Sequence, residues 1–283
     1  MSGAMQGKTV IVTGASSGIG LIAARRLATM GARLLLVGRD RAKGEAALRD
    51  LKSEQPGIDA RFFYGDLMMM AETRRVAAEL LAVAPRIDVL LNNAGAIFQQ
   101  REVTSEGLER TFALNHMGYF LLTSLLLDRI KASAPARIVN VASEAHRGAK
   151  LDFSDLQIAQ GYSGWRAYRR SKLANILFTR ELARRLDGSG VTANCLHPGF
   201  VATGFGDNNA GIFRCVISLG KSLMAISPEE GAKTSVYLAS SPAVAGISGL
   251  YFDKCAPRPP AKPAQDNAAA TALWTASARL AGA

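Results

Sequence analysis

Cysteine is scarce in this chain: Cys195, Cys215 and Cys255 are the only three in 283 residues. An odd number without ligand spacing excludes a disulfide scaffold and supplies no zinc site. They read as small core or surface thiols in a reducing compartment, so no metal is expected. No stretch of about eighteen consecutive apolar residues occurs, and no spanning helix is expected. The first apolar strand-like run begins within ten residues of Met1, which leaves no room for a signal peptide and makes the expected location cytoplasmic. Aromatics are only 7% of the chain, they do not interleave with the basic residues, and like charges never run to five. Nucleic-acid binding is therefore not expected despite a formal net charge of +11. Pairs such as Arg25–Arg26 and Arg184–Arg185 lie on helical patterns as solvated faces, and the positive field suits an anionic cofactor.

What the chain has is an unbroken alternation of apolar strands and amphipathic helices. The first strand reads KTVIVTG (Lys8 to Gly14). Others follow near Arg33 to Val37, Ala60 to Tyr64, Ile87 to Asn92, Arg137 to Ala142, Val191 to Leu196 and Leu250 to Phe252. Strands alternating with helices imply right-handed crossovers and one parallel sheet covered on both faces. No internal repeat and no polar linker occurs before residue 256. The expected organisation is one catalytic domain over 1–255, then an extended proline-rich stretch and a short helix over 256–283.

The first strand ends in a glycine turn. Gly14, Gly18 and Gly20 stand in a Gly-x3-Gly-x-Gly pattern, with Ser16, Ser17 and Ile19 between them. Glycine lets the backbone turn tightly and approach a pyrophosphate without Cβ clashes. The helix that follows offers its free N–H groups and positive dipole end to phosphates. The adenosine ribose is read at the end of the second strand, where an acid favours NAD and an arginine accommodates a 2′-phosphate. Here Gly38 is followed by Arg39, whose planar charged fork suits a phosphate dianion, and NADP(H) is the expected cofactor. Asp40 becomes the ribose acceptor instead if the strand ends one residue later. Asp66, with Leu67 beside it, can receive the adenine amino group, cap the helix expected near Met68, or do both.

Ser143 follows the strand RIVNVA, at the carboxyl end where ligands sit in open α/β sheets. Tyr168 and Lys172 stand four apart on a helical stretch and share one face. Tyrosine is a poor base at its ordinary pKa near 10. A neighbouring ammonium stabilises its phenolate and is expected to lower that value. Ser143 then bonds the same substrate oxygen, and the hydride belongs to the cofactor.

Taken in order, TGASSGIG, LNNAG, Asn115, Ser143 and Tyr168-x-x-x-Lys172 resemble the motifs of the short-chain dehydrogenase/reductase family from about Lys8 to Phe252. The resemblance implies a doubly wound Rossmann fold with a seven-stranded parallel sheet. It also implies Asn115, Ser143, Tyr168 and Lys172 as the catalytic set, with Asn115 holding a water against Lys172. By the same similarity Lys172 also bonds the nicotinamide ribose. Asn93, Ala94 and Gly95 line the adenosine side and brace the central strand, while Pro198, Gly199, Val201 and Thr203 embrace the nicotinamide and pyrophosphate. GRDRAKGE, NHMGYFLLTSLLL and AYRRSKLANILFTRELARRL are similar to the retinol dehydrogenase-like branch, which implies NADP(H) and a lipophilic aldehyde, ketone or alcohol substrate. The alternative on this fold is a regulator that senses NADP(H) without turnover, against which the intact catalytic set argues.

Residues 204–226 are glycine-punctuated and apolar, as expected of a lid, and with Phe205, Phe213 and Met224 they allow weak membrane-surface contact. The stretch 144–164, with Phe153, Leu156, Tyr162 and Trp165, is the expected opposite wall. His146 is expected to face substrate or solvent, His116 to pack in a helix, and His197 to sit in a turn. SPEE (Ser227 to Glu230) is a capping box. The helix-like pattern from Asn267 to Leu280 can dock on its own domain or on a neighbouring subunit, so a homo-oligomer stays open.

Overall fold

The computed structural model describes residues 3–199 and 226–282. Eight strands form one sheet in the order β3-β2-β1-β4-β5-β6-β7-β8. They are β1 (Thr9–Thr13), β2 (Arg33–Gly38), β3 (Ala60–Tyr64), β4 (Val89–Asn92), β5 (Ala136–Val141), β6 (Val191–His197), β7 (Tyr251–Asp253) and β8 (Ala256–Pro257). The first seven pair in parallel. The order reverses between β1 and β4, which places a ligand crevice above their carboxyl ends.

The eighth strand corrects the seven-strand expectation. Lys254 and Cys255 both take positive φ (49° and 60°), the backbone of a two-residue hairpin, and turn Ala256 back antiparallel onto Asp253. Nothing in a proline-rich stretch announces this turn, because neither central residue is glycine or asparagine.

Alternation along the strands sends side chains to two cores. Ile11, Leu35, Val37 and Leu90 face one side. There they meet α3 (Met70–Val83), α5 (Gly118–Ala132) and α6 (Gly164–Arg185). Val10, Val12, Leu34, Leu36 and Leu91 face the other, against α1 (Gly18–Thr29), α2 (Arg41–Glu54) and α7 (Pro228–Ser240). A short α4 (Arg110–Phe112) runs into a π-helical turn, Ala113–Met117, which continues into α5. The serine half of the capping box forms, Ser227 Oγ accepting from Glu230 N at 3.2 Å.

The last helix, α8 (Asn267–Ala281), docks on its own chain. Asp266 caps it, and Trp274 stacks on Phe178 of α6 at 5.8 Å and meets Phe120 of α5 edge-on at 5.1 Å. His116 completes this aromatic group from the π turn, fully buried, its Nε2 2.8 Å from Ser277 Oγ. Among the described residues no helix is long and apolar enough to cross a membrane.

Candidate active site

The glycine turn is held shut from the β4 side. Thr13 Oγ1 accepts from the backbone N–H groups of Asn93 (2.9 Å) and Ala94 (3.0 Å), and Asn93 Nδ2 donates to Thr13 O at 2.9 Å. Gly14 has φ +66°, and a Cβ there would stand 2.8 Å from Ala94 Cα, so only glycine fits. Ser17, at the N-cap of α1, makes no side-chain capping bond, which leaves the first-turn N–H groups of this helix to a ligand. Ser16 is half-buried beside Gly38. These features fit a pyrophosphate.

At the end expected to receive adenosine, Arg39 follows β2 with its side chain 52% exposed and 4.0 Å from Asp66. It opens onto a depression of about 700 Å³ lined also by Arg41, Phe62, Tyr64 and Arg75. Asp40 is committed elsewhere, its carboxylate accepting from Lys43 N to cap α2. Asp66 does not cap α3, which begins two residues later than expected. It accepts from Met68 N in a local turn, and the unsatisfied Met70 and Ala71 N–H groups go to the Glu106 carboxylate from a distant loop (2.5 and 2.9 Å). Leu67 is buried against Gly118.

The candidate catalytic residues converge where β4, β5 and α6 meet. Lys172 is 3% exposed, and its Nζ donates to Val141 O at 2.9 Å and lies 5.6 Å from the centre of the Tyr168 ring. Burial pushes the Lys172 ammonium down to about 7. Burial also pushes the Tyr168 phenol up to about 12, against the pull of a hydrogen bond from Ser143. The expected lowering of the tyrosine by the lysine is thus reversed in the protein alone. Desolvation of the buried phenol outweighs the Ser143 hydrogen bond.

Asn115 lies in the π turn and is fully buried. A π turn inserted in a helix redirects one side chain, and such turns gather at functional sites. Asn115 Nδ2 donates to Ala96 O (2.9 Å) and Ser171 Oγ (3.0 Å), and Oδ1 accepts from Ala96 N (2.9 Å). Both amide hydrogens are committed, and only the second lone pair of Oδ1 is left for a water. Gly95 belongs to this end of the site. A Cβ on it would lie 3.3 Å from Asn115 Oδ1 and 3.5 Å from Lys172 Nζ.

The short chain dehydrogenase family model matches residues 8–211. The chain belongs to the short-chain dehydrogenase family. It is retinol dehydrogenase-like within it: human retinol dehydrogenase 13 is 45% identical over 98% of this chain and 85% of its own length. Mouse retinol dehydrogenase 14 is 43% identical over 99% and 87%. A crystal structure from Mycobacterium paratuberculosis superposes with a TM-score of 0.79 at 33% identity, covering 98% of this chain and 94% of that one. The RhlG/NADP active-site complex of Pseudomonas aeruginosa gives 0.71 at 27%, covering 89% and 96%. As a member of the family, this protein is an oxidoreductase that binds a nicotinamide cofactor.

Other residues of this short-chain dehydrogenase were not evident as site residues from its sequence. Ser171 joins Asn115 to the tyrosine helix, its hydroxyl donating to Tyr168 O at 2.8 Å. Arg169 reaches back to the loop after Ser143, bonding Ala145 O at 3.3 Å and Arg147 O. His146 faces neither substrate nor solvent but is fully buried, which corrects its expected place. Tyr162 is turned inward, its hydroxyl 2.9 Å from the buried Glu109 carboxylate and 3.0 Å from Phe98 O. Trp165 stays half exposed and stacks on Tyr168 at 5.8 Å. The signal available for Ser171 and Arg169 was their place inside the Tyr-x-x-x-Lys segment. His197 is the last residue of β6 and pairs with Asp253 of β7, which corrects its expected place in a turn. Pro198 and Gly199 follow it, whereas Val201, Thr203 and positions 204–225 of the expected lid lie outside the described residues.

Proposed function

We propose that this short-chain dehydrogenase uses NADP(H) to interconvert a lipophilic alcohol and its aldehyde or ketone, with a retinoid-type molecule as the substrate class. The observation that carries the reading is the buried Tyr168 side chain, its hydroxyl hydrogen-bonded to Ser143 and its ring centre 5.6 Å from Lys172 Nζ. A phenol held near 12 keeps its proton at neutral pH and can donate it to a carbonyl oxygen. Ser143 bonds the same oxygen and fixes its place between the two hydroxyls. As the phenolate forms, Lys172 stabilises it at short range in a medium of low dielectric. When bound, the nicotinamide supplies the hydride.

Support for NADP(H) is the pairing of a half-exposed Arg39 with an Asp40 whose carboxylate is already used as a helix cap. Support for a lipophilic substrate is the exposed Trp165 stacked on Tyr168, together with the retinol dehydrogenase names of the relatives. The test is binding of NADPH and NADH by fluorescence, then turnover of lipophilic aldehydes including retinal, with Tyr168→Phe beside the wild type. NADPH preference and turnover that vanishes in Tyr168→Phe with cofactor affinity kept are expected. Tight NADPH binding without turnover of any aldehyde overturns the enzymatic reading in favour of a sensor.

A further inference from the structure

The loop after β5 carries a buried histidine that the proposed chemistry does not use. His146 Nε2 accepts from the backbone N–H of Ala261 at 3.0 Å. A backbone N–H can only donate, so Nε2 carries no hydrogen and the ring proton sits on Nδ1. Nδ1 lies 2.7 Å from Ser143 O and donates to it. The same carbonyl also receives the backbone N–H of His146 at 3.1 Å. One neutral imidazole thus joins the backbone of Ser143 to Ala261, which lies 115 residues beyond the histidine in the chain.

The surroundings make this joint rigid. The ring stands edge-on to Tyr251 at 5.1 Å, and the Tyr251 hydroxyl donates to Glu144 Oε2 at 2.9 Å. Glu144 N donates to His197 Nδ1 at 3.2 Å. Arg147 pairs with Glu144 and reaches Pro259 O. Ser143 therefore cannot shift its carbonyl without breaking contacts to β6, to β7 and to the 256–265 segment together. Its hydroxyl direction follows from that backbone, because Ser143 Oγ also accepts from Ala145 N in the same turn.

We propose that His146 is a positioning residue for Ser143, and that the C-terminal segment, through Ala261, is part of the apparatus that aims the Ser143 hydroxyl at the reacting oxygen. The inference rests on the reading of Ser143 and Tyr168 given above. Substrate class and cofactor choice do not enter it.

The experiment uses the full-length protein and separates the two bonds of the ring. His146→Gln keeps an acceptor toward Ala261 and loses the donor to Ser143, whereas His146→Asn keeps a donor toward Ser143 and loses the link to Ala261. Ala261→Pro alters neither catalytic residue nor His146. Ala261 has φ −58°, which proline adopts, but proline replaces the donating N–H with a methylene. Roughly 10- to 100-fold losses in kcat are expected for His146→Gln and Ala261→Pro, as for any small misplacement of a reacting group. NADPH affinity should stay at the wild-type value, and His146→Asn should recover part of the loss. A merely structural role would lower the melting temperature and cofactor binding together and spare kcat per folded molecule. That outcome overturns the proposal, as does a ring proton found on Nε2 by 15N chemical shifts. A wild type without turnover, or an unimpaired Tyr168→Phe, would sink the underlying reading as well. Active wild type, dead Tyr168→Phe and unimpaired His146→Gln would sink this inference alone.

Discussion

Lys172 Nζ stands 5.6 Å from the centre of the Tyr168 ring, and shared burial drives their proton affinities apart, the lysine down to about 7 and the tyrosine up to about 12. A protonated phenol is ready for carbonyl reduction throughout the neutral range. Alcohol oxidation needs the phenolate, whose population grows as pH rises toward the phenol's pKa. Initial rates in the two directions between pH 6 and 10 should therefore diverge, oxidation gaining with pH and reduction not. Reduction that rises in parallel with oxidation would remove Tyr168 as the proton donor.

The same burial makes Lys172 a stability liability. Its native pKa of about 7 lies below the ordinary 10.5, so the unfolded chain binds more protons between these values and stability rises with pH across that window. The penalty is complete below about pH 7 and gone above about 10.5. Lys172→Met should therefore stabilise the cofactor-free protein at pH 6, by about 1–3 kcal/mol after loss of the Val141 bond, and by less at pH 10, while ending turnover. Thermal unfolding at the two pH values checks this; equal or negative shifts at both would contradict the desolvation argument.

Most of the fold was legible in the sequence because strands covered on both faces leave continuous apolar runs, as RLLLVG does in β2. The glycine turn, Asn115, Ser143, Tyr168 and Lys172 were legible through their order. What brings them together was not. The roles of His146, Ser171 and Glu106 depend on partners 115, 56 and 36 residues away, and no local pattern encodes such pairings. The sign of the Tyr168 shift is hidden from the sequence for a related reason, since spacing puts a lysine nearby but says nothing of how deeply both are buried.

The proposed preference for NADP(H) rests on one side chain, Arg39. Arg39→Asp should weaken NADPH roughly tenfold or more, the range of a lost charge-assisted contact, and leave NADH little changed. Parallel titrations of the two cofactors decide it. Equal losses for both would assign Arg39 to the fold and not to a 2′-phosphate.

The remote cap on α3 has its own test. Glu106→Ala removes the acceptor of two first-turn N–H groups and should destabilise by about 1 kcal/mol, read by urea denaturation. Turnover should be unaltered, because Glu106 touches none of the residues around Tyr168. A loss of activity without a loss of stability would be inconsistent with a capping role.

The hairpin at Lys254–Cys255 has a consequence for assembly. By folding Ala256–Pro257 back on β7, it covers the hydrogen-bonding edge that a seventh parallel strand would otherwise present, and it does so with a residue that has no N–H to offer. A second copy of the chain cannot extend the sheet through the described edge of β8 by regular strand pairing, whereas β3 is the opposite margin of the sheet among the described residues, with the Tyr64 carbonyl already bonded by Arg75. Should two copies join sheet to sheet, β3 is the margin where their strands would meet.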